Sequence, residues 1–462
     1  MKKIYYMLMV ALLTTAVFTA NAFTSTAQEN VQAVWIATVF SLDFPSTKND
    51  VVSQKNEYIE KLDKLKAVGI NTVIVQVRPK ADALYSSNIN PWSDVLTGEQ
   101  GKDPGYDPMA FMIEEAHKRG MSFHAWLNPY RITTSGTDTS VLCETHPARL
   151  NPDWTMSYND ALYYNPEKEG VKNHIVLTVE EIVKNYDVDA VVFDDYFYPS
   201  NYPLPDGEGK DGALANSRRQ HVNDMVERVS RAIKNTNSNV LFGISPSGIW
   251  KNKISDPTGS DTSGNQSYYS VYADTRTWIK NGWIDYVSPQ IYWETGHKAA
   301  DYETLVKWWS NEVNGTKVKL YISQGLYREV VAKQIDTQLK INQKYPQVSG
   351  SCYYKLKSLL ENTAGCKTKI ASLNSADTFA AQDSDIYLLY SSESSLKSGV
   401  RSGTVTASIL NVRSGAGTQH AIVSKITSGT KVTILEDKAG WYNVKLGNGQ
   451  TGWVILDYLN VN

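Results

Sequence analysis

Eight short apolar runs, separated by longer stretches of helical periodicity, constrain this chain more than any other feature. They fall at residues 33–37, 72–77, 122–127, 190–193, 240–244, 284–288, 319–322 and 350–354. Several are almost continuously apolar, which suits parallel strands covered on both faces. Between them, residues 58–65 read as a helix that stops near Gly69, and residues 108–119 as one that stops at Gly120. Residues 217–234 carry Val222, Met225, Val226, Val229 and Ile233 at helical spacing. Eight strand–helix units predict an α/β fold, a (β/α)8 barrel; a doubly wound open sheet is the alternative, and the count favours the barrel. The stretch from 31 to 360 exceeds a typical barrel of about 250 residues, so extended loops are expected. The Pro- and Tyr-rich stretches after strands three and four fit that expectation.

The flanks differ in style. Lys2 and Lys3 precede a mostly apolar run from Tyr5 to Thr19, then Ala20-Asn21-Ala22. Residues 1–27 read as a secretory signal peptide, cut at Ala22 or after Ser25-Thr26-Ala27. No later run approaches the length of a membrane span, so an exported chain without one is expected: periplasmic, cell-surface or extracellular. Residues 361–402, rich in Ser, Ala, Asp and Lys, read as a linker, with an apolar island at Ile386 to Tyr390. Residues 403–462 hold short strand-like segments between Gly-rich turns, with Gly447-Asn448-Gly449 as a hairpin signal, and predict a small all-β barrel.

Charge excludes some partners. Lys and Arg number 46 against 48 Asp and Glu, so neither nucleic acid nor an acidic tail is indicated. Three cysteines, Cys143, Cys352 and Cys366, show no CxxC spacing. A disulfide scaffold and a structural zinc site are poorly supported; one Cys352–Cys366 bridge and buried free thiols both stay open. No cofactor is indicated.

In a barrel the C-terminal strand ends face the active site. The second strand runs into Arg78, with Asp82 beyond; the third carries His124, Trp126, Asn128, Tyr130 and Arg131. The fourth ends in Asp194, Asp195, Tyr196 and Tyr198, the fifth in Ser245, the sixth in Gln290, Tyr292, Trp293 and Glu294. Aromatic rings stack on sugar faces while amides, Arg and carboxylates bind hydroxyls, so this inventory points to a carbohydrate cleft.

Asp194-Asp195 is the most informative pair. Neighbouring strand side chains alternate faces, so one is expected in the mouth and the other against a loop or neighbouring strand. Asp194 shares parity with Val192 and is preferred as the inward group. A glycosidase needs two carboxyl groups. Asp194 is assigned as the ionised partner, held by Arg78 or His124, and Glu294 as the best-placed second acid, with Asp82 and Asp43 as rivals. A metal-dependent deacetylase is disfavoured because none of the seven histidines lie four apart. A serine hydrolase is set aside because Gly243-Ile244-Ser245-Pro246-Ser247 holds only half of a nucleophile elbow.

At these residues the sequence resembles the glycosyl hydrolase-like 10 family of bacterial exported proteins. The matching blocks include Gln76-Val77-Arg78-Pro79, Pro91-Trp92-Ser93, Gly105-Tyr106-Asp107-Pro108 and His124-Ala125-Trp126-Leu127-Asn128-Pro129-Tyr130-Arg131. They continue through Phe193-Asp194-Asp195-Tyr196-Phe197-Tyr198-Pro199, residues 243–250, and Pro289-Gln290-Ile291-Tyr292-Trp293. The resemblance implies a TIM barrel with glycoside hydrolase activity, and a cell-wall glycan such as peptidoglycan as substrate. Ala190 and Val192 stand where a Gly and a polar residue are expected in many relatives. The tail resembles a bacterial SH3 (SH3b) domain through Leu410-Asn411-Val412-Arg413-Ser414-Gly415-Ala416-Gly417-Thr418, with Ala416 where Pro is usual. That resemblance implies binding to wall peptide or glycan; the alternative for the whole chain is a non-catalytic glycan binder.

Overall fold

The computed structural model describes residues 30–374 and 402–461, apart from 419, 439, 440, 456 and 457. The leader and most of the linker read from the sequence lie outside the described residues. The chain divides into two compact units, parting near residue 378.

The first unit is a closed barrel of eight parallel strands. They are β1 (Val31–Ile36), β2 (Thr72–Arg78), β3 (Ser122–Leu127), β4 (Ala190–Phe193), β5 (Leu241–Ile244), β6 (Tyr286–Val287), β7 (Lys319–Gly325) and β8 (Val348–Tyr354). All eight predicted strands are present, and each pairs with its sequence neighbour before β8 closes on β1. The outer layer includes α1 (Val51–Lys66), α2 (Pro108–Lys118), α3 (Glu169–Asn185), α4 (Ala213–Thr236), α5 (Thr275–Lys280), α6 (Tyr302–Val313) and α7 (Ile335–Gln343). Asp50 and Asp107 cap α1 and α2 by accepting from the Ser53 and Ala110 backbone N–H groups, both at 3.0 Å. The extended loop after β3 carries a hairpin, Thr155–Tyr158 with Ala161–Tyr164.

Strand alternation sorts the core into two shells. Val191, Phe193, Val75, Ala125 and Ile244 pack outward among the helices. Ala33, Trp35, Ile74, Trp126, Ala190, Val192, Tyr286, Tyr321 and Cys352 fill the barrel interior. Large and small residues complement one another there: a Cβ on Gly243 would sit 2.0 Å from the Tyr286 ring, so only glycine fits. Cys352 lies inside the barrel and Cys366 is buried in the outer shell, and both are free thiols, so the Cys352–Cys366 bridge does not form. The barrel unit runs past residue 360: residues 366–374 are helical and bury Cys366 and Ile370, although their polar composition reads as linker.

The second unit is a seven-stranded antiparallel sheet between Ser402 and Val461. Its apolar residues, Val405, Leu410, Val412, Val432, Val444, Val454 and Leu459, make a core of their own.

Candidate active site at the barrel mouth

A cavity of about 250 Å³ opens at the C-terminal strand ends. Trp35 of β1 and Trp126 of β3 form its floor, meeting edge to face at 5.1 Å. Tyr354 of β8 stacks on Tyr292 at 5.6 Å, and Tyr327 abuts both edge-on. Gly325 makes room for that wall, since a Cβ there would lie 2.9 Å from the Tyr292 ring. Asp194, Asp195, Tyr196, Ser245 and Gln290 complete the lining, from the ends of β4, β5 and β6. The opposite, N-terminal end of the barrel holds another cavity, of about 290 Å³, lined by amides such as Gln32 and Asn342 but by no carboxylate.

Both aspartates of the pair line the mouth. Alternation ends with the strand at Phe193, so the face rule does not govern Asp195. Asp194 Oδ2 accepts from Trp126 Nε1 at 2.9 Å and from Asn128 Nδ2 at 3.3 Å. Its Oδ1 accepts from the Tyr196 backbone N–H at 3.3 Å. Asp195 Oδ1 accepts from Gln290 Nε2 at 3.1 Å. Burial pushes Asp194 up to about 7; the charge on Asp195 adds to this, while Arg131 and the Trp126 and Tyr196 donors oppose it. Val192, one layer below on the same face, gives Asp194 an apolar floor. Burial also raises Asp195, against the Gln290 hydrogen bond and Arg131. The two raised carboxyl groups are neighbours, so they titrate as a coupled pair. A carboxyl raised to about 7 suits a proton donor, where the sequence reading has Asp194 as the ionised partner.

Other predicted residues fall in three places. Trp126, Tyr196, Ser245, Gln290 and Tyr292 line the cavity with the aspartates. The Ser245 hydroxyl donates to the Ser288 carbonyl at 2.7 Å, as a tie within the wall. Asn128 and Arg131 stand just behind: Asn128 bonds Asp194, and the Arg131 guanidinium lies 5.0 Å from the Tyr196 ring centroid. The rest do not reach the cavity lining. Arg78 is fully buried and clamps the loop after β3, donating to the Asn128 carbonyl at 2.7 Å and to Asn90 at 3.2 Å. Neither it nor His124 holds Asp194; His124 Nδ1 meets the Tyr286 hydroxyl at 3.0 Å inside the barrel. Asp82 is buried, bonded by the Lys80 backbone N–H at 3.2 Å, and Tyr130 is buried in the outer core. Tyr198 packs against Tyr202, Tyr272 and Arg218. Trp293 packs near His297, where its carbonyl accepts from Gln338 at 3.0 Å.

Glu294 is the main correction. It pairs with Arg328 at 3.7 Å, and Arg328 in turn donates to the Tyr292 carbonyl at 2.7 Å. Glu294 therefore faces Arg328 and not the cavity, whose lining carboxylates are Asp194 and Asp195. The rival Asp43 is also structural, accepting the Ala37 and Lys357 backbone N–H groups at 2.9 Å each. Trp35, Tyr327 and Tyr354 were not among the predicted residues. Tyr327 follows β7 by two positions and Tyr354 closes β8, so the strand-end rule applied to those two strands identifies both. Among the described residues no group of three or more His, Cys, Asp or Glu side chains could hold a metal ion.

The sequence profile of the glycosyl hydrolase-like 10 family matches residues 30–345, the whole of the barrel up to β8. This chain belongs to the glycosyl hydrolase-like 10 family. Glycosyl hydrolase YngK of Bacillus subtilis is 47% identical over 378 residues, which cover 77% of this chain and 73% of YngK. Glycosyl hydrolase DigH of Escherichia coli K12 is 38% identical over 371 residues, covering 72% of this chain and 84% of DigH. The bacterial SH3 domain profile matches residues 408–460. Over 57 residues, 12% of this chain and 11% of the other, the tail is 47% identical to YrvJ of Bacillus subtilis, which carries the provisional name N-acetylmuramoyl-L-alanine amidase.

Proposed function

We propose that this member of the glycosyl hydrolase-like 10 family is an exported glycoside hydrolase acting on cell-wall glycan, peptidoglycan foremost, with related polysaccharides behind it. The observation that carries the reading is the pair of carboxyl groups sharing one ring-walled cavity, with Asp194 held up to about 7. Asp194 keeps its proton at mildly acidic pH and donates it to the leaving glycosidic oxygen. Asp195, as the carboxylate of the pair, faces the anomeric centre as base or nucleophile. Trp35, Trp126 and Tyr292 stack on the sugar rings, and Gln290 fixes Asp195. Residues 1–27 act as the export leader, and residues 361–402 include the linker to the bacterial SH3 domain at 403–462. That domain holds the enzyme on wall peptide or glycan and raises the local substrate concentration without altering the barrel's chemistry. The likeness of the tail to a protein provisionally named an N-acetylmuramoyl-L-alanine amidase supports this assignment.

Purified protein incubated with peptidoglycan, with and without its stem peptides, tests the reading. Release of reducing ends is the expected result. Binding without turnover on a broad glycan panel supports instead a non-catalytic binder built on the same barrel.

A further inference from the structure

The loop after β1 holds its backbone in a costly shape. Phe40 and Ser41 both have left-handed φ values, 56° and 54°, which non-glycine residues rarely adopt. Two buried side chains enforce this. Gln76 accepts from the Thr38 and Val39 backbone N–H groups at 3.1 and 3.0 Å. Asp43 ties Ala37 on one side to Lys357 beyond β8 on the other. The result is a Phe40 ring that is 70% exposed. Such strain persists only where the surroundings over-determine it, and here its product is an apolar ring in water at the barrel's functional face.

Phe40 is not alone there. In barrel order β7, β8 and β1 are adjacent. The segments after them expose Tyr327 (51%) and Val330 after β7, and Phe40 and Leu42 after β1, with half-buried Tyr354 ending β8 between them. Tyr327 and Tyr354 also line the cavity, so that end of the arc adjoins the candidate active site. The polar groups Asp194, Asp195, Ser245 and Gln290 belong to β4, β5 and β6 instead. Exposed apolar side chains following three adjacent strands on the functional face are suited to a contact surface.

We infer that this arc, with Phe40 at its outer end, is a second saccharide-binding stretch that holds the part of a glycan chain extending out of the cavity. It takes the alternating apolar faces of a polysaccharide, so affinity grows with chain length beyond the sugars the cavity encloses. The inference rests on the glycan reading above and narrows it to polymeric chains.

The test is equilibrium binding of peptide-free peptidoglycan strands, from disaccharide to octasaccharide, to the full chain carrying Asp194→Asn. Affinity is expected to rise with length, and adding Phe40→Gly is expected to weaken octasaccharide binding about five- to tenfold more than disaccharide binding. Glycine relieves the left-handed strain, so a thermal midpoint at or above the parent's shows that the loss comes from the ring and not from unfolding. Phe40→Trp is expected to restore the length dependence. No gain with length, or the same gain after Phe40→Gly, overturns the inference even where cleavage is intact. Phe40-dependent binding in a chain whose wild type never cleaves the strands supports it while removing the hydrolase reading.

Discussion

At the residue scale the site is governed by what burial does to two neighbouring carboxyl groups. Asp194 keeps its proton in the folded chain up to about pH 7, whereas an unfolded aspartate releases it near 4. Folding therefore takes up a proton between those values, and stability falls as pH rises through that window. Asp194→Asn removes the penalty: its thermal midpoint should exceed the parent's by a margin that widens from pH 4 to pH 7. The full effect is about 4 kcal/mol at most. A margin that stays flat with pH would show that Asp194 is not held protonated. Turnover, in the same account, declines above about pH 7 as the donor loses its proton. Arg78 acts at one remove. Its guanidinium fixes the loop that carries Asn128 to Asp194, so Arg78→Lys should cost about 1–3 kcal/mol of stability and lower kcat more than it raises KM. An increase confined to KM would instead place Arg78 in contact with substrate. The sequence made Asp194 legible through its parity with Val192. It could not separate Arg78, His124 and Asp82 from the cavity, because a polar residue at a strand end looks the same whether it meets substrate or braces a loop.

At the element scale, eight apolar runs separated by helical periodicity were enough to reveal the barrel, because each strand must be covered on both faces. Strand limits were legible to within two or three residues: β7 runs on to Gly325, β1 and β8 start two residues earlier, and the β6 ladder narrows to Tyr286–Val287. Alternation was informative inside a strand and at the first residue past its end. It placed Asp194 inward and failed at Asp195, one residue farther beyond Phe193. Glu294 sits beyond a strand end in the same way, and its direction depends on Arg328, a partner 34 positions along that no local pattern reveals. Interior complementarity also yields a prediction. Gly243→Ala pushes a methyl group into the Tyr286 ring, so it should destabilise the barrel by about 1–3 kcal/mol in denaturant unfolding. Pairing it with Tyr286→Phe relieves nothing, because the clash is with ring carbons that phenylalanine keeps.

At the scale of the whole molecule there are two compact units with separate cores, and the proposed function assigns chemistry to one and attachment to the other. Removing residues 403–462 should then leave kcat/KM on soluble glycan strands intact and lower the rate on insoluble walls by about tenfold or more. Equal rates on both substrates would mean that the SH3 unit holds no wall ligand. The division itself was legible as a shift from alternating α/β patterning to short strands and Gly-rich turns. The end of the barrel unit was not, because residues 361–374 pack through few apolar side chains, Cys366 and Ile370 among them. The central claim is that the two carboxyl groups at the end of β4 cleave a glycosidic bond. Single-turnover release of reducing ends from peptide-free peptidoglycan strands, by the wild type and by Asp194→Asn and Asp195→Asn, tests it most directly. The account predicts that either substitution slows the step by about a hundredfold or more; release at the wild-type rate from Asp194→Asn would contradict it.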